Sequence, residues 1–302
     1  MKKILCFGEL LWDCLPTGRH PGGAPVNVAY HLAQNGIEPF VATAVGEDEL
    51  GREILAYLEG QGISTRFIVR HTDWPTGTVQ ATINEQGNAS YDIKTGVAWD
   101  HIVPPAELKA LAPSLDGIVF GSLAQRSPQN LAEILELLHV FQKDSSKLRI
   151  FDVNLRPPFD TVETVWKLAK EANVIKLNHE EAARLTGISL ADGTLDTVAI
   201  RLARALEKET GCHTICITAA ERGAGLLIKG EWYFERGRKV QVADTVGAGD
   251  SFLARLTRGL LSGTEHPRDT LAAACRTGEW VASQKGAMPS YAVFHAAQAL
   301  AV

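Results

Sequence analysis

The 302-residue chain carries 30 Lys and Arg against 35 Asp and Glu, a formal net charge of -5, and 45% of its residues are hydrophobic. That length suits one large α/β unit, and the composition excludes a disordered or fibrous chain. With an acidic balance and no block of Lys and Arg, nothing draws the chain electrostatically to nucleic acid or to a membrane surface, and neither partner is expected.

The start, MKKILCFGELLWD, reads as a first strand: it meets Glu9 and Asp13 too soon for a signal peptide and has no small-residue cleavage site. No apolar run reaches membrane-spanning length. The five cysteines, Cys6, Cys14, Cys212, Cys216 and Cys275, are odd in number and scattered. Cys212 and Cys216 fall in a segment that reads as a strand, where i and i+4 lie too far apart for a disulfide. Reduced packing cysteines in a cytoplasmic protein are the expectation.

From there, short apolar runs alternate with amphipathic, helix-length segments. Residues 3–8 predict a strand, 25–36 a helix closed by Gly36, 39–46 a strand and 48–62 a helix closed by glycine. Strands follow at 116–121, 148–154, 173–178 and 213–219, with helices at 127–142, 161–172, 179–187 and 194–211 between them. Such alternation specifies a mostly parallel sheet covered by helices on both faces, with ligands beyond the carboxyl ends of the strands. Residues 76–94 depart from it, alternating polar and apolar around Gln86-Gly87-Asn88, which predicts an antiparallel hairpin that is either a lid, an oligomer contact or a decoration on the sheet edge.

The last glycine-rich stretch, DTVGAGDSF at 244–252, puts Gly247, Ala248 and Gly249 before a run with Phe252, Leu256 and Leu260 at helical spacing. A helix starting there turns unpaired N–H groups and its positive dipole end toward whatever lies before it, which makes an anion site. Asp250 in that position is either a helix cap or a carboxylate with chemical work. Further polar residues fall at strand ends: Glu9 and Asp13, Asn27 behind Gly22 and Gly23, then Asp152, Asn154 and Arg156, then Asn178 and Glu181, and Thr218. Each alone reads more readily as a cap or a loop residue; together with the glycine-rich helix start they outline a site.

DTVGAGDSF at 244–252, GGAPVNVA at 22–29 and NHEE at 178–181 resemble the three hallmark segments of the PfkB-type, ribokinase-like carbohydrate kinases. VGEDELGRE at 45–53, DVNLR at 152–156 and KGAMPS at 285–290 fit the same family, in its fructokinase-like branch, and the resemblance runs from about residue 2 to about residue 291. It implies a three-layer α/β/α sandwich over residues 1–302 with a central, mostly parallel sheet and a small β-lid from about 13–20 and 76–100. It implies Asp250 as the base that deprotonates a sugar hydroxyl, and Gly247, Ala248 and Gly249 as the anion hole for the transferring phosphoryl group of ATP. Arg156 would be a further phosphate contact. Asp13, Gly22, Gly23, Asn27 and Asn154 fall to the sugar, and Asn178, Thr218, Gly223 and Gly249 to the nucleotide. Glu181 would meet Mg²⁺ through water, and Asp244, Val246, Gly286 and Ser290 would form a K⁺ loop that not every branch requires. Relatives in this family often dimerise through the lid, so a homodimer is expected.

The chain departs from the family pattern at Arg255, where a small residue is usual, and at Ala219 and Ala220, where many relatives carry glycine. The segment 91–100 lacks the tyrosine–arginine pairing looked for in 2-keto-3-deoxygluconate kinases. Fructose is therefore the expected acceptor, with ribose, a nucleoside, 2-keto-3-deoxygluconate or a hexose phosphate as alternatives. A non-catalytic sugar sensor is the alternative from another class, and the intact Asp250 argues against it. A Rossmann dehydrogenase fits poorly, because no G-x-G-x-x-G follows the first strand.

Overall fold

A computed structural model describes residues 1–15, 18–83, 89–292 and 294. Strands are β1 (Lys3–Phe7), β2 (Leu11–Leu15), β3 (Gly18–Gly22), β4 (Glu38–Gly46), β5 (Ile68–His71), β6 (Gly77–Ile83), β7 (Ala89–Ile93), β8 (Gly117–Gly121), β9 (Leu148–Asp152), β10 (Val174–Asn178), β11 (Thr214–Thr218), β12 (Gly223–Ile228) and β13 (Glu231–Arg236). Helices are α1 (Ala24–Gln34), α2 (Glu49–Gly60), α3 (Ala106–Leu111), α4 (Pro128–Gln142), α5 (Val162–Glu171), α6 (His179–Thr186), α7 (Leu195–Thr210), α8 (Ala248–Ser262) and α9 (Pro267–Ala282).

Among the described residues the main sheet has nine strands in the order β13-β12-β11-β10-β9-β8-β1-β4-β5. It is parallel from β11 to β5 and antiparallel at β12 and β13. Its strands are apolar on both faces, as burial on both sides requires. The period-2 alternation sends Ile4, Cys6, Val119, Ile150, Val174 and Cys216 to the side covered by α1, α2, α8 and α9. Leu5, Phe7, Ile118, Phe120, Phe151 and Ile175 face the opposite layer, built on α3 to α7. These are the three layers expected of the ribokinase-like sandwich.

The helix boundaries follow their caps. Asp48 accepts from the Gly51 N–H at 2.7 Å to start α2, and Ser127, Thr161 and Thr194 cap α4, α5 and α7 in the same way. Gly187 and Gly211, at φ 72° and 73°, close α6 and α7 in the left-handed conformation.

The second sheet has four strands, in the order β3-β2-β6-β7. β2 and β3 form one antiparallel pair, β6 and β7 another, and β2 runs parallel to β6. The sheet spans more than the two expected segments: it begins at Leu11 and includes Gly22, whereas residues 98–101 form a 3₁₀ turn. The Gln86–Asn88 turn lies outside the described residues. The 213–219 strand begins at Thr214, so Cys212 sits just before it, and all five cysteines are free. The β12–β13 hairpin had no counterpart in the sequence reading; its turn, Lys229-Gly230, takes φ 51° and 80°, the doubly left-handed geometry of a tight hairpin.

Where the second sheet meets the main body, Asn130 is fully buried. Its side chain accepts from the Ile102 N–H at 2.8 Å and donates to the Trp99 and Ala124 carbonyls, each at 2.8 Å. Asn130→Ala strands three backbone groups away from water and should lower the unfolding free energy by about 3 kcal/mol. Urea denaturation checks this, and a change under about 1 kcal/mol would show that solvent reaches those groups.

Candidate active site

The polar residues singled out in the sequence gather where β1, β9, β10 and β11 end, beneath the second sheet and against the start of α8. That convergence follows from topology, since parallel strands point all their carboxyl ends to one edge.

α8 begins at Ala248 with no side-chain cap, after Gly247 at φ 79°. A Cβ on Gly247 would stand 2.5 Å from the Ala287 carbonyl oxygen, so only glycine fits both the turn and the contact. No side chain caps the first turn, where the Ala248 N–H donates to the Thr245 carbonyl at 3.3 Å, and Gly249 is exposed. Asp250, the third residue of the helix, does not cap it. Its Oδ2 instead accepts a 2.8 Å hydrogen bond from Asn27 Nδ2 on α1. Burial pushes the Asp250 carboxyl up to about 6; Asp152 pushes the same way, while Lys176, the Asn27 bond and Arg156 pull it down.

Asp13 lies on β2, paired across the strand with His20. Burial raises its carboxyl as well, against the pull of His20 and Arg156. A Cβ on Gly22 would fall 2.3 Å from Asp13 Oδ2, so the bare glycine makes room for that carboxylate. Gly23, at φ 120°, passes so close to the Glu9 carbonyl that a Cβ would sit at 2.4 Å. Two of the predicted sugar residues are thus glycines because backbone and carboxylate approach one another there. Asn154, at φ 42°, lines a small cavity with Glu9, Ser122 and Asp152. Arg156 is exposed at the site's rim, with one guanidinium N–H on its neighbour's carbonyl, that of Leu155, at 2.9 Å.

Asn178 and Glu181 form a reciprocal capping box at the start of α6. Asn178 Oδ1 accepts from the Glu181 N–H and Glu181 Oε2 from the Asn178 N–H, each at 2.8 Å. Glu181 Oε1 also accepts from the Leu155 N–H at 2.8 Å, which ties the loop after β9 to the end of β10. Burial raises this carboxyl too. The N-x-x-E pair therefore has a structural task, and each Glu181 oxygen keeps one lone pair for a water. Thr218 stands beside Asn178 across the β10–β11 ladder. Gly223, at φ 113°, opens β12 where a Cβ would strike the Glu235 carbonyl at 2.1 Å.

Asp244 holds two loops together: Oδ1 accepts from the Val246 N–H at 3.0 Å and Oδ2 from the Gly286 N–H at 3.1 Å. The 286–291 loop is pinned from behind by α1, where the Tyr30 hydroxyl donates to the Pro289 carbonyl at 2.8 Å. His31, fully buried, is held neutral because burial lowers its pKa to about 4. Its Nε2 lies 2.9 Å from the Ala287 carbonyl, which can only accept, so Nε2 carries the proton and Nδ1 accepts from the Tyr291 hydroxyl at 3.0 Å. Ser290 is exposed at the end of this loop.

Two departures find their places. Arg255 turns away from the anion site and pairs through both terminal nitrogens with Glu265, at 2.5 and 3.1 Å, on the loop leading to α9. Ala220 adopts φ 48°, a conformation that favours glycine, so the backbone keeps the shape while the residue does not.

Sequence reasoning gave no role to Lys176, and none to Glu9 beyond its place at a strand end. Lys176 is buried in the middle of β10, with Nζ 2.9 and 3.1 Å from the two oxygens of Asp152. Its signal was legible: a lysine inside the apolar run VIKL. Glu9 is buried, accepts from the Ala24 N–H at 3.2 Å through Oε1, and has no partner on Oε2 among the described residues. Burial lifts its carboxyl to about 7.

The sequence pattern of the pfkB family carbohydrate kinases matches residues 1–292. Fructokinase-1 of Oryza sativa subsp. japonica is 26% identical over 313 residues, covering 95% of this chain and 94% of its own. The crystal structure of fructokinase with bound ATP from Xylella fastidiosa superposes with a TM-score of 0.80 at 22% identity, covering 99% of both chains. That of 2-dehydro-3-deoxygluconokinase from Thermotoga maritima superposes at 0.81 and 20% identity, covering 95% and 94%. With its hallmark residues gathered at one edge of this sheet, the chain belongs to the pfkB family of carbohydrate kinases.

Proposed function

We propose that the chain transfers the γ-phosphoryl group of ATP to a hydroxyl of a small free sugar, with fructose as the acceptor. The observation that carries this reading is Asp250, held by Asn27 at the mouth of an uncapped helix start. A general base and an anion hole thus share one turn of backbone. The acceptor hydroxyl gives its proton to Asp250 as its oxygen bonds to the γ-phosphorus, and the bond to the β,γ-bridging oxygen breaks to release ADP. Developing charge on the phosphoryl oxygens is met by the Gly247–Gly249 backbone, and Arg156 approaches from the rim.

Asp13 and Asn27, with Asn154 nearby, suit a polyol, because a carboxylate or amide bridges neighbouring hydroxyls. Asn178, Thr218 and Gly223 border the nucleotide groove in this reading. The second sheet is the lid; its closure over the sugar excludes water and limits ATP hydrolysis.

Mg²⁺ entering with ATP supplies charge neutralisation between the phosphates, and Glu181 would meet it through water using its remaining lone pairs. Among the described residues no three His, Cys, Asp or Glu side chains group as a metal cage. The Asp244 clasp on Val246 and Gly286, with Ser290 at the end of the same loop, offers oxygen donors of the kind K⁺ takes. A cytoplasmic monomer pair joined through the lid sheet completes the reading; among the described residues no helix is long and apolar enough to cross a membrane.

Likeness to a 2-dehydro-3-deoxygluconokinase, as close in shape as that to a fructokinase, keeps an acidic sugar as the second reading. ADP release from Mg-ATP across free sugars, nucleosides, ketodeoxy acids and sugar phosphates, with K⁺ and again with Na⁺, separates them. A selective response to fructose is expected; selectivity for a ketodeoxy acid would move the assignment to that branch, and silence with retained sugar binding would make the protein a sensor.

Asp250→Asn should lower kcat by about a thousandfold with sugar affinity retained; near-normal turnover would remove the base assignment. Asp13→Ala should raise the KM for sugar about tenfold or more and that for ATP far less; the opposite order would misplace the sugar site. Because the base acts ionised, and its carboxyl is pushed up to about 6 in the free protein, kcat/KM should fall about tenfold per pH unit below that value. An acid limb of kcat/KM at the ordinary carboxylate range would show that burial does not raise the base.

A further inference from the structure

We propose that Lys176 is a positioning residue for phosphoryl transfer, a fixed internal cation that Asp152 clamps behind Gly249, where it sets the potential in which Asp250 and the helix start work. The inference rests on the kinase reading of this site but not on which sugar is used.

Four observations carry it. Lysine is among the residues least often buried, and β10 is otherwise an apolar strand of the main sheet, so this position costs stability compared with Val or Leu. The strand alternation places Asp152 and Lys176 side by side on the face covered by α1, α8 and α9, in register across β9 and β10. A Cβ built on Gly249 would stand 3.3 Å from Lys176 Nζ, so the ammonium lies close beside the backbone of the helix start, and a side chain at 249 would crowd it. Asp152 occupies two of its three donors, and its other charged neighbours are Asp250 and Glu181.

The electrostatics follow from that placement. An incoming phosphate meets a recess holding Asp250, Asp152, Glu181 and, further round, Glu9 and Asp13, a repulsive field for an anion. Arg156 balances it from the exposed rim, where water screens its charge; Lys176 balances it from inside, where water does not. Its effect on the carboxylate base has the sign needed, favouring the ionised form against burial. Because it needs no reorganisation as charge moves to the phosphoryl oxygens, the benefit falls on the transition state more than on substrate binding.

The test compares kcat, KM and thermal stability in Lys176→Met, Asp152→Asn and the double variant, with fructose or whichever sugar the wild-type chain uses. Lys176→Met leaves a buried carboxylate without its partner, so Tm falls by roughly 5 °C, and kcat falls about thirtyfold or more while both KM values stay within about threefold. Asp152→Asn keeps the cation and retains kcat within about tenfold. The double variant removes the uncompensated charge: its Tm returns toward wild type while kcat stays low. Recovery of kcat together with Tm would reduce the pair to a structural bridge and overturn the proposal, as would Lys176→Met with wild-type kcat, or a loss confined to KM. A wild-type chain inert toward every sugar would instead overturn the kinase reading, and the proposal with it.

Discussion

The start of α8 is the constraint on which the site depends. A helix N-terminus exposes donors that proteins usually satisfy with a Ser, Thr, Asp or Asn side chain, as α2, α4, α5 and α7 do here. α8 is left open, and the carboxylate that could have served it is drawn off by Asn27. In the proposed reading, a base and an anion hole, which would neutralise each other, are thereby kept apart within three residues. Their separation depends on α1, whose packing against α8 fixes the Asn27 side chain, and on Gly247, whose positive φ turns the chain into the helix.

α1 then ties the rest together. From its first turns come Asn27 and, through Gly23 and Ala24, the contacts with Glu9; from its last come Tyr30 and His31, which hold the 286–291 loop. Asp244 grips the same loop at Gly286 from the strand side of α8. The residues proposed for the acceptor, the base and the cation loop therefore all touch α1, so a shift of that helix would reach all three. The neutral His31 suits that work: a charged imidazole would donate from both nitrogens and lose its acceptor contact with Tyr291.

Most of the framework was legible because parallel strands buried on two faces read as continuous apolar runs, and because glycine and Asx or Ser/Thr signals bracket the helices. The hairpin Gly223–Ile228 to Glu231–Arg236 was missed for a physical reason: it is an edge element with one half-buried strand, whose turn is the unremarkable pair Lys229-Gly230. The site was legible as a set of positions but not as a set of bonds. Asn27 and Asp250 lie 223 residues apart, and nothing local in either segment says that one holds the other. Asn178 and Glu181 showed the converse, a pair read for its place near phosphate that also serves as a helix cap and a loop tie.

Lys176 marks where the two kinds of reading meet. In the sequence it is a break in an apolar run, which a solvent-facing strand would explain at no cost. Only the register with Asp152 and the nearness of Gly249 turn it into a buried charge at the candidate site. A pair of opposite charges in such a place gains little stability over two apolar side chains. Its position therefore points to the field it makes. In the proposed reading the recess needs its carboxylates for sugar recognition and proton abstraction, yet it must also admit a nucleotide polyanion. A helix dipole and an exposed arginine answer part of that conflict from the surface. On that same reading, an ammonium on β10, held by Asp152, answers the rest from within the protein, where water does not screen it.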